Sequence, residues 1–191
     1  MSNRTIVMQL IRDEGFSLIE VGIGLMLACA LAGIALIGIQ GTLPGINANK
    51  AMYQTVAQLR QGRQLAIAQR RSIQLNIGDR NTIQLVRNEF PEGEVAISTV
   101  ALNNGFEFTQ FGEITDDTPD RFGSQSAVDF GGASALTFLS DGTLVDDSGN
   151  PVNGTILVGL ENHPETARAV TILGATGRIR GYRWTGDEWI Q

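Results

Sequence analysis

Cysteine and histidine are nearly absent from this chain, with one of each among 191 residues. A lone Cys29 cannot form an intramolecular disulfide, and a structural zinc site of the usual kind needs several cysteines. A lone His163 leaves no histidine pair for a metal site or a proton relay. Apolar residues make up 42% of the chain, so the composition is globular. These scarcities weigh against many enzyme classes, and we expect no cofactor, no metal and no catalytic set.

Charge is distributed unevenly, although the net charge is only −6. Residues 47–87 contain seven basic residues and one acid, whereas residues 88–167 contain fourteen acids and one arginine. Two explanations are open. Either the basic segment packs against the acidic one, or basic surfaces meet an outside partner.

A long apolar run occupies residues 16–39, where only Ser17 and Glu20 are neither apolar nor glycine. As a helix it would be about 36 Å long, enough to cross the roughly 30 Å hydrocarbon core of a bilayer. Arg4 and Arg12 precede it. Because these basic residues lie on the N-terminal side of the run, we predict one membrane pass with a cytoplasmic N-terminus and an exported C-terminal domain.

Three simpler interpretations of this run fit less well. A secretory signal peptide is shorter and ends at a small-residue cleavage site, which "GTLPGINANK" does not clearly offer. A lipoprotein signal would use Cys29, but Leu27 is bulky for such a site and the run continues past it. An ordinary membrane anchor leaves Glu20 unexplained, because a carboxylate inside a transmembrane helix costs about 2.5–3.5 kcal/mol at the centre and less near the end.

The stretch "GFSLIEV", residues 15–21, followed by this apolar run, resembles the processing signal of type IV prepilins and type II secretion pseudopilins. The resemblance implies that a prepilin peptidase removes residues 1–15 by cutting between Gly15 and Phe16, and that the new N-terminus is methylated. It also implies residence in the inner membrane with a periplasmic domain, and association with filaments after assembly. The implied partners are other pilin or pseudopilin subunits, the peptidase, the inner-membrane assembly platform and, before assembly, the lipid bilayer.

The resemblance also implies a role for Glu20 in filament assembly. The freshly exposed Phe16 amine and a carboxylate are each costly in an apolar setting and far less costly together. Glu20 would therefore attract the Phe16 amine of a neighbouring subunit and set the filament register. The alternative is a tolerated charge that extends to the cytoplasmic interface.

Residues 40–72 are predicted to continue the helix outside the membrane, with an amphipathic pattern over residues 47–72. Arg63 and Arg70 fall on the core-facing sector, so each must find a carboxylate or extend outward. The acidic segment could supply that carboxylate. The apolar members of the sector are Met52, Val56, Leu59, Ala66 and Ile67.

After Ser72 the pattern changes to the period-two alternation of β-strands. The segment at 103–126 contains "TDDTPDRFGSQ" and predicts a mobile loop. Strands are predicted at 72–77, 82–87, 94–102, 154–160, 168–174 and 177–184, with a hairpin at 135–145.

The predicted class is α+β, with a long N-terminal membrane-anchored helix packed on an antiparallel β-sheet domain at residues 73–191, as in the pilin-like fold. The junction "Leu59…Arg63-x-x-Ala66…Ile73-x-Leu75" and the tail motifs "ALTFLSDGTL" and "AVTILGATGRIR" resemble the GspH/FimT group. This resemblance implies a minor pseudopilin or minor pilin, which acts in filament assembly or at the filament tip in protein secretion.

Other short motifs favour turns over chemistry. Ser140 and Asp141 suggest a nucleophile and its helper, but they belong to a hairpin turn and His163 has no assigned place. "DDSGNP" at 146–151 has the oxygen density of a calcium loop without the EF-hand spacing. "GATG" at 174–177 lacks the lysine of a phosphate-binding loop.

The stretch "GRIRGYRW", residues 177–184, is the candidate binding motif. Alternation places Arg178, Arg180, Tyr182 and Trp184 on one face of a strand, with Arg183 opposite. Arginines interleaved with aromatics suit phosphate contacts and base stacking, and the pattern resembles that of FimT-type minor pilins associated with DNA uptake. The alternative is a solvated strand face whose arginines pair with the acidic segment.

Overall fold

The computed structural model describes residues 17–78, 80–89 and 91–191, and within residues 34–42 it describes the backbone only. Gly15 and Phe16, the predicted processing site, lie outside the described residues. The chain divides into two units, Met1–Thr42 and Leu43–Gln191.

The first element is α1 (Leu18–Gln69), a helix of 52 residues with Pro44 inside it. Its C-terminal end has the hydrogen bonds of a Schellman motif, in which the Arg71 amide donates to the Ala66 carbonyl and the Arg70 amide to Ile67. Arg70 takes the left-handed conformation, with φ of 51°, and this ends the helix three residues before the predicted boundary. Within the residues described, no helix combines the length and the apolar character needed to cross a membrane.

The described part of the chain then forms eleven strands in two antiparallel sheets. The first sheet has the order β3-β2-β1-β6-β7, and the second has the order β11-β10-β9-β8-β4, with β5 also paired to β8. All the predicted strands are present, and the α+β architecture is confirmed. The strands are β1 (Ile73–Gly78), β2 (Thr82–Glu89), β3 (Gly93–Ala101), β4 (Glu107–Phe108), β5 (Val128–Asp129), β6 (Leu136–Phe138), β7 (Leu144–Val145), β8 (Gly154–Leu160), β9 (His163–Leu173), β10 (Arg178–Trp184) and β11 (Trp189–Ile190).

The main core lies between the C-terminal part of α1 and both sheets. Gly62 of α1 comes so close to the first sheet that a Cβ there would lie 2.8 Å from a Leu85 methyl carbon, and Gly181 of the second sheet lies against Met52. Four of the five predicted apolar helix residues are buried, but Ile67 is 40% exposed at the edge of the core. The core residues on α1 are Ala48, Ala51, Met52, Val56, Leu59 and Ala66.

A second, smaller cluster covers the other face of the second sheet. It is built from Phe111, Leu157, Ala167, Ala169, Tyr182 and Trp189. The second sheet is therefore buried on both faces, by α1 on one side and by the segment around Phe111 on the other.

Candidate functional site

The predicted alternation along β10 is confirmed for three of its residues. Arg178, Arg180 and Tyr182 all contact the same carboxylate, that of Asp120. In the antiparallel register, Arg180 lies opposite Thr171 of β9, whose hydroxyl also reaches Asp120. This face of the second sheet therefore carries a polar cluster around one buried acid.

Asp120 is the centre of this cluster, and its side chain is only 7% exposed. Its carboxylate accepts hydrogen bonds from the Thr171 hydroxyl at 2.6 Å and the Tyr182 hydroxyl at 2.9 Å. The guanidinium groups of Arg178 and Arg180 lie 3.1 and 3.2 Å away. Burial opposes ionisation, but the hydrogen bonds from Thr171 and Tyr182 and the charges of the two arginines outweigh it, so the pKa of Asp120 lies below its usual value.

Arg183 occupies a different environment. It lies opposite Arg168 in the β9–β10 register. Arg168 is 2% exposed, and its Nε donates to Asn49 Oδ1 on α1 at 2.8 Å. Burial and the nearby charge of Arg183 lower the pKa of Arg168 to about 10. The three arginines predicted as one site are thus split between a pair that shares the single negative charge of Asp120 and one beside another cation.

The aromatic residues at the end of β10 are also engaged. Trp184 and Trp189 lie with ring centroids 5.3 Å apart at an interplanar angle of 60°, and Trp189 Nε1 donates to the Asp116 carbonyl at 3.0 Å. Tyr182 and Trp189 are buried, at 3% and 7% exposure. These rings contribute mainly to the second cluster.

The segment at residues 103–126 has little regular secondary structure, as a loop prediction implies, but it packs against the second sheet. The segment contains β4, and Phe111 is buried in the second cluster. Asp120 and the Asp116 carbonyl tie it to β10 and β11. Its sequence has the composition of a loop, but a buried acid and an aromatic side chain hold it against the sheet.

Arg63, predicted either to find a carboxylate or to extend outward, binds a backbone carbonyl. Its Nε donates at 3.2 Å to the carbonyl of Gly142, in the β6–β7 hairpin turn. A Cβ at Gly177, which has φ of 60°, would lie 2.2 Å from that same carbonyl oxygen and 2.4 Å from Arg63 Nε. Helix, hairpin and the turn before β10 therefore meet at one point that only glycine fits.

The short motifs lie in turns. Asp141 Oδ1 accepts from the Thr143 amide at 2.9 Å, and Asp146 Oδ1 accepts from Ser148 and Asn150, both at 2.9 Å. His163 lies in β9, with its Nδ1 2.9 Å from a carboxylate oxygen of Glu165. Among the described residues, no hydrogen bond connects His163 with Ser140 or Asp141.

Glu20 lies in the first turn of α1 and is exposed. Apolar side chains around it are also exposed, including Leu18 at 92% and Met26 at 76%. Contiguous exposed apolar surface is characteristic of sites that contact a membrane or another protein.

No protein-family model matches the chain, and no curated protein matches it. Similar solved structures include the minor pseudopilin EpsH from the type 2 secretion system of Vibrio cholerae, with a TM-score of 0.49 at 15% identity over 72% of this chain and 97% of that one. The type IV minor pilin FimU of Pseudomonas aeruginosa gives a TM-score of 0.48 in two crystal forms. In one crystal form the sequence identity is 16%, over 80% of this chain and 96% of FimU. The GspH/FimT assignment stays a prediction.

Proposed function

We propose that this chain is a structural subunit of a periplasmic filament, a minor pseudopilin or minor pilin of a type II secretion or type IV pilus system. The proposal is carried by the arrangement of side chains along α1. Near its start the helix presents exposed apolar side chains and one carboxylate, Glu20, and further along it presents side chains that belong to the core. Residues 16–39 would hold the subunit in the inner membrane before assembly and in the filament afterwards. The subunit has a mechanical role, in filament assembly or at the filament tip.

The proposal predicts how two substitutions near the N-terminus behave. A Glu20→Ala variant is cut normally but is missing from sheared filament fractions, because the Phe16 amine of its neighbour has no carboxylate to meet. A Ser17→Ala variant, which changes a neighbouring residue without removing a charge, is recovered like the parent. Gly15→Leu leaves a longer precursor on a gel.

Mass spectrometry of the membrane-extracted protein tests the processing step. The expected mature chain begins at a methylated Phe16. A chain that still begins at Met1, or one with lipid on Cys29, contradicts the proposal, as does equal filament recovery of Glu20→Ala and parent.

The alternative function, DNA capture in natural transformation, stays a prediction. Asp120 works against it, because Arg178 and Arg180 both already pair with this carboxylate, which offsets one of their two positive charges. A DNA phosphate would have to compete for these arginines with a buried acid that is itself held by two hydroxyls. A gel-shift at low salt with the parent and the Arg178→Ala/Arg180→Ala variant separates the two functions, and we expect no shift with either.

A further inference from the structure

A pocket lies between α1 and the start of β10 in the unit Leu43–Gln191. Its volume is about 170 Å³, below the roughly 300–1,000 Å³ of pockets that hold drug-sized ligands, so its size suits a compact group. We call it the arginine pocket. Its lining residues are Arg60, Arg63, Gln64, Gly177, Arg178 and Ile179.

Three arginines reach this pocket because of their spacing on α1 and the turn before β10. Arg60, Arg63 and Gln64 are three and four positions apart, which places them on one face of the helix. The turn at Gly177 lies against Arg63 and leads directly into Arg178, the first residue of β10. The pocket therefore presents three positive charges and one amide, and no acid is among its lining residues.

Two of the three guanidinium groups are held in place by partners that do not line the pocket. Arg63 Nε donates to the Gly142 carbonyl at 3.2 Å, and Arg178 Nη2 lies 3.1 Å from a carboxylate oxygen of Asp120. Each of these bonds uses one nitrogen of a group that carries five N–H donors. The remaining nitrogens form no hydrogen bond with a described residue. A ligand that meets them finds side chains already ordered, which lowers the entropic cost of binding.

The positive charge of the pocket is only partly offset by the rest of the fold. Arg60 and Arg63 form no ion pair with any described residue. Arg178 shares the single negative charge of Asp120 with Arg180. Packing of the basic segment against the acidic one, the first explanation for the uneven charge of the chain, therefore does not account for the two helix arginines.

We propose that the arginine pocket binds a small oxyanion of the phosphate class, with two negative charges. Guanidinium groups match the oxygens of phosphates and carboxylates in paired hydrogen bonds. The two unpaired charges of Arg60 and Arg63 favour a dianion over a single carboxylate. A long polyanion is disfavoured, because residues 43–191 contain twelve basic residues and seventeen acids, which leaves a net charge of −5. This site goes beyond the filament function and does not depend on it.

Isothermal titration calorimetry of the full-length protein in a non-ionic detergent tests the site. The probe is sodium phosphate, with the ionic strength held constant by sodium chloride. We expect saturable binding to the parent and about tenfold weaker binding to Arg60→Gln, because one guanidinium is lost. Lys50→Gln is the matched control. It removes a charge from another exposed position of α1, about 15 Å along the helix and outside the pocket, and should bind phosphate like the parent.

A carboxylate placed inside the pocket gives the second measurement. Gln64→Glu keeps the length of the side chain and supplies a negative charge next to the three arginines. We expect it to weaken phosphate binding about tenfold or more without lowering the melting temperature. Gln61→Glu is the control, because it adds the same charge at an exposed position of α1 that does not line the pocket, and its effect should be smaller.

Further titrations define the class of ligand. Binding of glycerol 3-phosphate together with inorganic phosphate supports a phosphate monoester, and binding of inorganic phosphate alone supports the free ion. Acetate that binds as tightly as phosphate overturns the proposed dianion. The site itself is overturned if the parent does not bind phosphate, or if the parent and Arg60→Gln bind it equally. A DNA gel-shift that Arg60→Gln abolishes would contradict the preference for a small ion.

Discussion

Replacing Asp120 by asparagine removes the charge at the centre of the polar cluster while keeping the shape of the side chain. A hydrogen bond to a charged acceptor contributes about 1.5–3 kcal/mol, and Asp120 accepts two of them from Thr171 and Tyr182. Arg178 and Arg180 are 44% and 37% exposed, so solvent limits each ion pair to about 0.2–1 kcal/mol. Asparagine keeps one accepting oxygen, and we therefore expect a loss of about 2–3 kcal/mol at pH 7.

The pH dependence of that loss tests its electrostatic origin. The folded-state pKa of Asp120 lies below the unfolded value, which is about 3.9. Its contribution is therefore fully present above the unfolded pKa and is lost as pH falls through the folded pKa. The difference between parent and Asp120→Asn should be constant near neutral pH and shrink below about pH 4.

Urea unfolding of the full-length protein in detergent measures this difference. Tryptophan fluorescence suits the assay, because the chain has two tryptophans and both lie near the end of β10, in or against the second cluster. Asp147→Asn, at an exposed acid, serves as the control and should change little. A loss of the same size at pH 7 and at pH 3 would refute the electrostatic reasoning.

Two further predictions concern the backbone. Arg70→Gly should stabilise the protein by about 1 kcal/mol, because glycine adopts the left-handed conformation at the end of α1 without strain, and a lower melting temperature than the parent would contradict this. Gly177→Ala should cost more than about 2 kcal/mol, since its Cβ would meet the Gly142 carbonyl oxygen at 2.2 Å. Gly149→Ala is the matched control, with φ of 80° and open space around it, and should cost only about 1 kcal/mol. Similar melting temperatures for the two alanine variants would show that the junction at Gly177 relaxes.

The long strands could be predicted from sequence. In β1, β2 and β10, for example, the side chains alternate between the two faces of the strand over six or more positions. The strands β4, β5 and β11 have two residues each, too few to show a period. The end of α1 was predicted three residues late, because nothing in an arginine at position 70 indicates a left-handed conformation.

The polar cluster could be predicted only in part. Alternation placed Arg178, Arg180 and Tyr182 on one face, but their common partner, Asp120, lies about sixty residues earlier in a segment with the composition of a loop. A pairing over that distance is set by tertiary packing and leaves no local pattern. The processing motif lies outside the described residues, so Gly15 and Phe16 remain predictions.

The hydrogen bond between Asn49 and Arg168 joins residues that are 119 positions apart. During synthesis, α1 emerges long before the strand that anchors it, and contacts of such long range form slowly. The nascent chain therefore spends a period with the core face of its helix bare. Folding of this protein should accordingly be sensitive to anything that binds or shields that helix face before the closing strands arrive.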